Sequence, residues 1–199
     1  MRKTLLSRRS RRSISFKSLI LAMALAAPAA PALAGGPADP SAAAAALTPG
    51  RHLWIGDEAA EGPVTILVSL GAQRAFVWRG TTLIGVSTVS SGAPGHETPT
   101  GTFNILEKDK DHKSNLYEDA PMPFMQRLTW DGVALHAGKV GAEPASHGCV
   151  RLPIAFARKL FDVTDLGATV TITDDVLSTP EEALAAAGLD TGTEVAAAQ

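Results

Sequence analysis

Two of the five histidines and the sole cysteine of this 199-residue chain, His136, His147 and Cys149, fall within a stretch of 14 residues. These types suit nucleophilic catalysis. A cysteine attacks as its thiolate, and a thiolate forms near neutral pH only beside a cation or an imidazole that takes its proton. His136 ends a run of strand-forming residues, a rigid place for a base, and Gly138, Gly141 and Gly148 let the intervening loop fold back on it. Gly148, just before the nucleophile, lets backbone N–H groups approach a developing oxyanion. Arg151 adds positive charge two residues further on, and His147 is placed to act as a local orienting hydrogen-bond partner.

The competing reading of Cys149 is a buried, inert small hydrophobe, the usual state of a free cysteine. A lone thiol outside the cytoplasm invites oxidation and mispairing, so keeping one beside two histidines in an exported chain argues for function. A single cysteine also excludes an internal disulfide and any zinc module built on two or more cysteines. His136, His147 and Cys149 are all metal-ligand types, but His147-Gly148-Cys149 makes a poor bite and no fourth ligand is apparent, so no metal and no other cofactor is expected. Lys139 and Arg151 are cations able to neutralise substrate carboxylates; Lys139 reads equally well as a solvated loop charge.

The surrounding pattern predicts a mostly β fold with minor α. From Val64 to Leu70, Ile66, Val68 and Leu70 alternate with Thr65, Leu67 and Ser69, the period of a strand with one face in a core. Turns at Gly71-Ala72 and Arg79-Gly80 separate it from strands over 74–78 and 82–89, an antiparallel meander. Further strands are expected over 101–106, 132–136 and 168–173. One or two short helices complete the fold. The first follows Pro153, with Phe156, Leu160 and Phe161 on one face. The second runs from Pro180 to about Ala187, opened by a Thr179/Glu182 capping box and stopped by Gly188. Residues 107–128 form a connector far longer than the usual four to six residues. Its Met and Phe residues suit a lid or binding wall; a disordered loop is the competing reading.

The net charge of −2 averages two regions of opposite sign. Seven Lys and Arg lie in the first 17 residues, and no acid precedes Asp39. The remainder carries 11 bases against 20 acids, which gives nucleic-acid binding little electrostatic support. The basic start, the apolar run Ser18–Ala27 and Ala32-Leu33-Ala34 read together as a cleaved export signal over 1–34. An uncleaved anchor is the competing reading, disfavoured by Pro28 and Pro31. Ser10-Arg11-Arg12 resembles a twin-arginine signal, with Ser15 in place of the usual apolar residue, and the export route stays open. An Ala/Pro-rich flexible spacer is expected over 35–52, a catalytic domain over 53–188 with its core at 64–174, and a flexible tail over 189–199.

Ser146-His147-Gly148-Cys149-Val150-Arg151-Leu152 resembles the signature of the L,D-transpeptidase catalytic domain, the YkuD-type fold. The resemblance runs from about Val64 to Asp174 and takes in Ser91-Gly92, Thr98-Pro99-Thr100-Gly101-Thr102-Phe103 and Met122-Pro123-Phe124-Met125. It departs at His136-Ala137-Gly138, where the family commonly has a His-Gly pair, and in the short interval of 13 residues from His136 to Cys149. The resemblance implies a compact, mixed, β-sandwich-like domain. It also implies an enzyme in which Cys149 attacks the third residue of a peptidoglycan tetrapeptide stem, releases D-alanine and forms a thioester. His136 would be the base and later the acid, and His147 would assist orientation; Ser146, Gly148 and Arg151 are motif positions that support the site or bind substrate. An amine acceptor, from another stem or an outer-membrane protein, would then resolve the thioester. Water as acceptor would make the enzyme a carboxypeptidase, and a non-catalytic wall-binding module is the reading from another class. The expected compartment is the periplasm or cell wall, with no stable membrane span after signal cleavage.

Overall fold

The computed structural model describes residues 39–56, 59–115 and 119–189; the expected signal over 1–34 and all but the first residue of the expected tail lie outside them. In chain order the elements are α1 (Pro40–Ala45), β1 (His52–Trp54), β2 (Val64–Ser69), β3 (Arg74–Arg79), β4 (Thr82–Thr88), β5 (Gly101–Asn104) and β6 (Glu107–Asp109). Then follow β7 (Met125–Arg127), β8 (Ala134–Ala137), β9 (Val150–Leu152), α2 (Ile154–Val163), β10 (Thr169–Thr173) and α3 (Pro180–Ala186). One sheet has the order β1-β4-β3-β2-β10-β5 and the other β6-β7-β8-β9. The expected meander is present, since β2–β3 and β3–β4 are antiparallel. The last strand, β10, inserts parallel beside β2, which makes the sheet mixed.

The main core lies where the two sheets face each other. Ile66, Val68, Val77, Ile84 and Val170 from the first sheet meet Leu135, Val150 and Leu152 from the second, with Phe156, Ala157 and Leu160 of α2 closing the gap. The residues on α2 fall at the spacing that puts them on one helical face.

Three expectations need correction. The first sheet is buried on both faces, so β2 does not present the single buried face that its alternation suggests. Leu67, Phe76, Trp78 and Val86 form a second core with Ala44 of α1 and Ala183 of α3. That packing explains the second difference: residues 40–45, within the expected spacer, are helical. Asp39 caps the helix by accepting from Ser41 N–H, Pro40 opens it, and Ala44 is fully buried. The spacer also runs into β1, which starts at His52. Third, the connector over 107–128 contains β6 and β7, paired antiparallel with Glu107 opposite Arg127. Beyond the paired strands it continues as a hairpin arm. Phe124 N donates to Lys110 O, Met122 N to His112 O and Ser114 N to Ala120 O, each at 2.9 Å. Lys108 fastens the arm to the domain: its ammonium donates to Phe161 O (2.7 Å) and Thr164 O at the end of α2 and lies 4.4 Å over the Phe161 ring. The α3 capping box is formed as expected, Thr179 and Glu182 each bonding the other's backbone N–H.

Candidate active site

Side chains alternate faces along a strand, and residues opposite one another across a ladder share a face. Leu135, Ala137, Val150 and Leu152 are core residues, paired as Leu135↔Val150 and Ala137↔Leu152. The pairing His136↔Arg151 therefore stands in register with them, and Cys149, one residue before β9, falls opposite Ala134. The antiparallel pair Arg127↔Ala134 extends that row into β7. Cys149, His136, Arg151 and Arg127 are thus positioned by the register of three adjacent strands.

The loop before Cys149 is braced from the first sheet. Beyond β4 the chain runs as Ser90–Ala93 along the site, with Ser90 and Arg151 exchanging backbone hydrogen bonds at 3.0 Å. Ala93 N donates to Ser146 O (2.9 Å), and Ser146 N donates to Ser91 O (3.0 Å). Thr98 Oγ1 accepts from Gly92 N and donates to Gly148 O, both at 2.9 Å. Gln73 steadies Ser91 through both its amide oxygen and its amide nitrogen. Gly92 has no room for a side chain, because a Cβ there would lie 1.9 Å from His96 O and 2.7 Å from Thr98 N. Gly92→Ala is expected to cost about 3 kcal/mol of stability by forcing backbone atoms apart, and denaturant unfolding measures it. A change within about 0.5 kcal/mol would contradict this packing.

Within the loop, Ser146 is buried and its hydroxyl accepts from Gly148 N (3.1 Å) while donating to Cys149 O. It is a brace for the turn. Gly148 takes φ +109°, a backbone state that favours glycine, and its N–H donates to Ser146 Oγ. His147 is exposed, with its ring 4.7 Å from that of His96, edge to face. The hydrogen bond that orients His136 comes from the backbone: Nδ1 lies 2.8 Å from Ala137 O. With Nδ1–H donating there, Nε2 is the nitrogen left as proton acceptor.

Cys149 is a half-buried thiol, and its Sγ–H donates to Gly132 O at 3.3 Å. Burial pushes the thiol above its ordinary value of 9.0, against the opposing pull of a hydrogen bond at Ala134 and of Arg151 and Arg127. Burial also pushes His136 below its ordinary 6.5; the Ala137 hydrogen bond opposes this, while Arg151 and His112 add to it. Both directions favour a neutral thiol and a neutral imidazole in the resting site. A base must be unprotonated to act, and a lowered imidazole stays unprotonated to lower pH. The acid limb of kcat/KM is therefore expected below pH 6.5. A limb centred at or above that value would contradict the assignment.

These groups line one cleft of about 690 Å³. Its floor is the β7–β8–β9 face; its walls are the hairpin arm, through His112, Ser114 and Pro121, and the loop bearing Ser146 and His147. Among the described residues, Arg127, Lys139 and Arg151 line it against one acid, Asp131, which leaves the described lining cationic. Lys139 is exposed at its edge. The aliphatic stem of Arg151 packs over Gly138, where a Cβ would lie 3.0 Å from it. Arg127, Gly132 and His112 were not singled out from the sequence. Arg127 pairs with Glu107 and stacks 5.7 Å from the exposed Trp130 ring, and its place in the cleft follows from the β7–β8 register, which motif spacing does not carry. Among the described residues, no group of three or more His, Cys, Asp or Glu side chains is arranged to hold a metal ion.

Comparison with curated proteins gives no match. Among solved structures, an L,D-transpeptidase (Yku) from Stackebrandtia nassauensis is 29% identical, with a TM-score of 0.53 over 62% of this chain and 62% of its own. An L,D-transpeptidase from Mycobacterium smegmatis is 24% identical, with a TM-score of 0.51 over 56% of this chain and 58% of its own. L,D-transpeptidase 3 from Mycobacterium tuberculosis, in complex with a faropenem-derived adduct, is 22% identical, with a TM-score of 0.53 over 56% of this chain and 61% of its own. The last two show likeness of fold. The chain thus spans less than two thirds of the length of each of these structures. The family model of the L,D-transpeptidase catalytic domain matches residues 63–172, more than half of the chain and the whole of the stretch that carries His136 and Cys149. With two facing sheets and the cysteine loop braced between them, the chain belongs to the L,D-transpeptidase catalytic domain family.

Proposed function

We propose that the protein is an exported peptidoglycan L,D-transpeptidase working through a thioester at Cys149. The observation that carries this is the common cleft of Cys149 and His136, with the imidazole fixed by Ala137 O and cations on either side. In the first step His136 Nε2 takes the thiol proton as Sγ attacks the carbonyl of the third residue of a tetrapeptide stem. The C–S bond forms, the C–N bond breaks, and the leaving D-alanine amine takes its proton from His136. An acceptor amine then forms a new C–N bond as the C–S bond breaks and the thiol is restored. Arg127, Lys139 and Arg151 suit the carboxylates of the stem.

The acceptor is the amine of another stem or of an outer-membrane protein. The site of action is the periplasm or cell wall, on the strength of the signal-like residues 1–34. No helix of the described residues is long and apolar enough to cross a membrane. Incubation of the purified protein with disaccharide-tetrapeptide, followed by mass spectrometry, tests the reading. Loss of D-alanine together with a cross-linked dimer supports transfer; tripeptide monomer without dimer marks a hydrolase; intact substrate overturns both.

A further inference from the structure

Apart from the pair at Cys149, the cleft is lined by an imidazole held on a carboxylate. His112 Nδ1 lies 3.2 Å from Asp109 Oδ2, and Asp109 Oδ1 accepts from Asp111 N at 3.0 Å, so the carboxylate is held at both oxygens. The backbone of His112 is fixed across the arm by Met122 N, and its side chain, 18% exposed, lines the cleft. Asp109 stands opposite Met125 in β7, and by the register Gln126↔Leu135 the next strand in that row presents His136. Two strand spacings separate Asp109 from His136, about 10 Å. The arrangement is the carboxylate-oriented imidazole of a general base, on the wall facing the nucleophile.

We propose that His112, oriented by Asp109, is the base that deprotonates the acceptor amine; this rests on the function proposed above. Proton balance motivates it. An acceptor amine arrives as an ammonium near neutral pH, with an ordinary pKa of about 10.4 for a side-chain amine. Turning it into an amide removes two protons. One passes through His136 to the departing Cys149 sulfur. The other goes to His112 Nε2 and on to solvent, as the amine nitrogen forms its bond to the thioester carbon and the C–S bond breaks. His112 touches the reacting amine and is the catalytic residue of this step; Asp109 is a positioning residue acting through it.

The experiment compares D-alanine release with dimer formation from disaccharide-tetrapeptide in the wild type, His112→Gln and Asp109→Asn. In His112→Gln the transfer step is expected to fall about 10²-fold, far more than D-alanine release in the first turnover, so that acyl-enzyme accumulates. Asp109→Asn shifts the same ratio in the same direction by less, and serves alone if His112→Gln does not fold. Hydroxylamine, already neutral at pH 7, needs no such base and is expected to resolve the accumulated thioester of His112→Gln as fast as that of the wild type. A structural role would not produce that rescue. Equal loss of both steps, an unchanged dimer yield, or a hydroxylamine reaction slowed as much as the stem reaction overturns the proposal. A wild type that releases no D-alanine is a different result and overturns the function itself.

Discussion

Replacing Cys149 with alanine is expected to lower D-alanine release from disaccharide-tetrapeptide by about 10⁴-fold or more, to the uncatalysed background. The size of the effect follows from the site's composition. Cys149 is the sole cysteine of the chain, so no neighbouring thiol can substitute for it. Fold loss would not be the cause. The Cys149 side chain is only half-buried and its thiol donates to a backbone carbonyl, Gly132 O, so truncation is expected to change stability by no more than about 1 kcal/mol. Cys149→Ser separates the two effects further, since a hydroxyl can keep the bond to Gly132 O while being a poorer nucleophile. Quantifying released D-alanine alongside a thermal unfolding curve checks both halves. Activity retained by the alanine variant would move the chemistry elsewhere.

His136→Gln is expected to lower acylation by about 10²- to 10⁴-fold at neutral pH, the usual range for loss of a general base. The pH profile makes this more than a count of lost activity. Because burial holds the thiol above its ordinary 9.0, little thiolate exists at neutral pH without a base to receive the proton. In the variant the rate should therefore climb as pH rises toward the thiol's own ionisation, whereas the wild type should be level from its acid limb upward. A variant with the wild-type profile, reduced uniformly, would assign His136 a packing role. That alternative is worth testing because His136 is buried in β8.

Different parts of this architecture were visible in the sequence for different reasons. The meander β2–β3–β4 and the strand β10 are runs of β-branched and aromatic residues between turns, and α3 carries its capping box in Thr179 and Glu182. Their signals are local. The strand β6 is Glu107-Lys108-Asp109, a composition that argues against a strand; pairing with β7 and the Glu107–Arg127 ion pair override it. The strand β9 has three residues and ends at Pro153, too short for periodicity to register. Helix α1 is capped by Asp39, but without large apolar residues its burial depends on α3 and the second core. The site's register lies beyond local reading. That Cys149 and His136 meet in one cleft depends on the parallel pairing of β8 with β9, a tertiary fact. The same holds for His147, whose ring lies against that of His96 from a distant loop.

The central claim, a thioester at Cys149, is tested most directly by intact-mass measurement of the protein quenched in acid during turnover of disaccharide-tetrapeptide without added acceptor. The account predicts a species heavier by the donor minus one D-alanine, mapped by proteolysis to the peptide containing Cys149 and discharged by hydroxylamine. Turnover of the donor with no such adduct at any quench time, or an adduct on another residue, would contradict it.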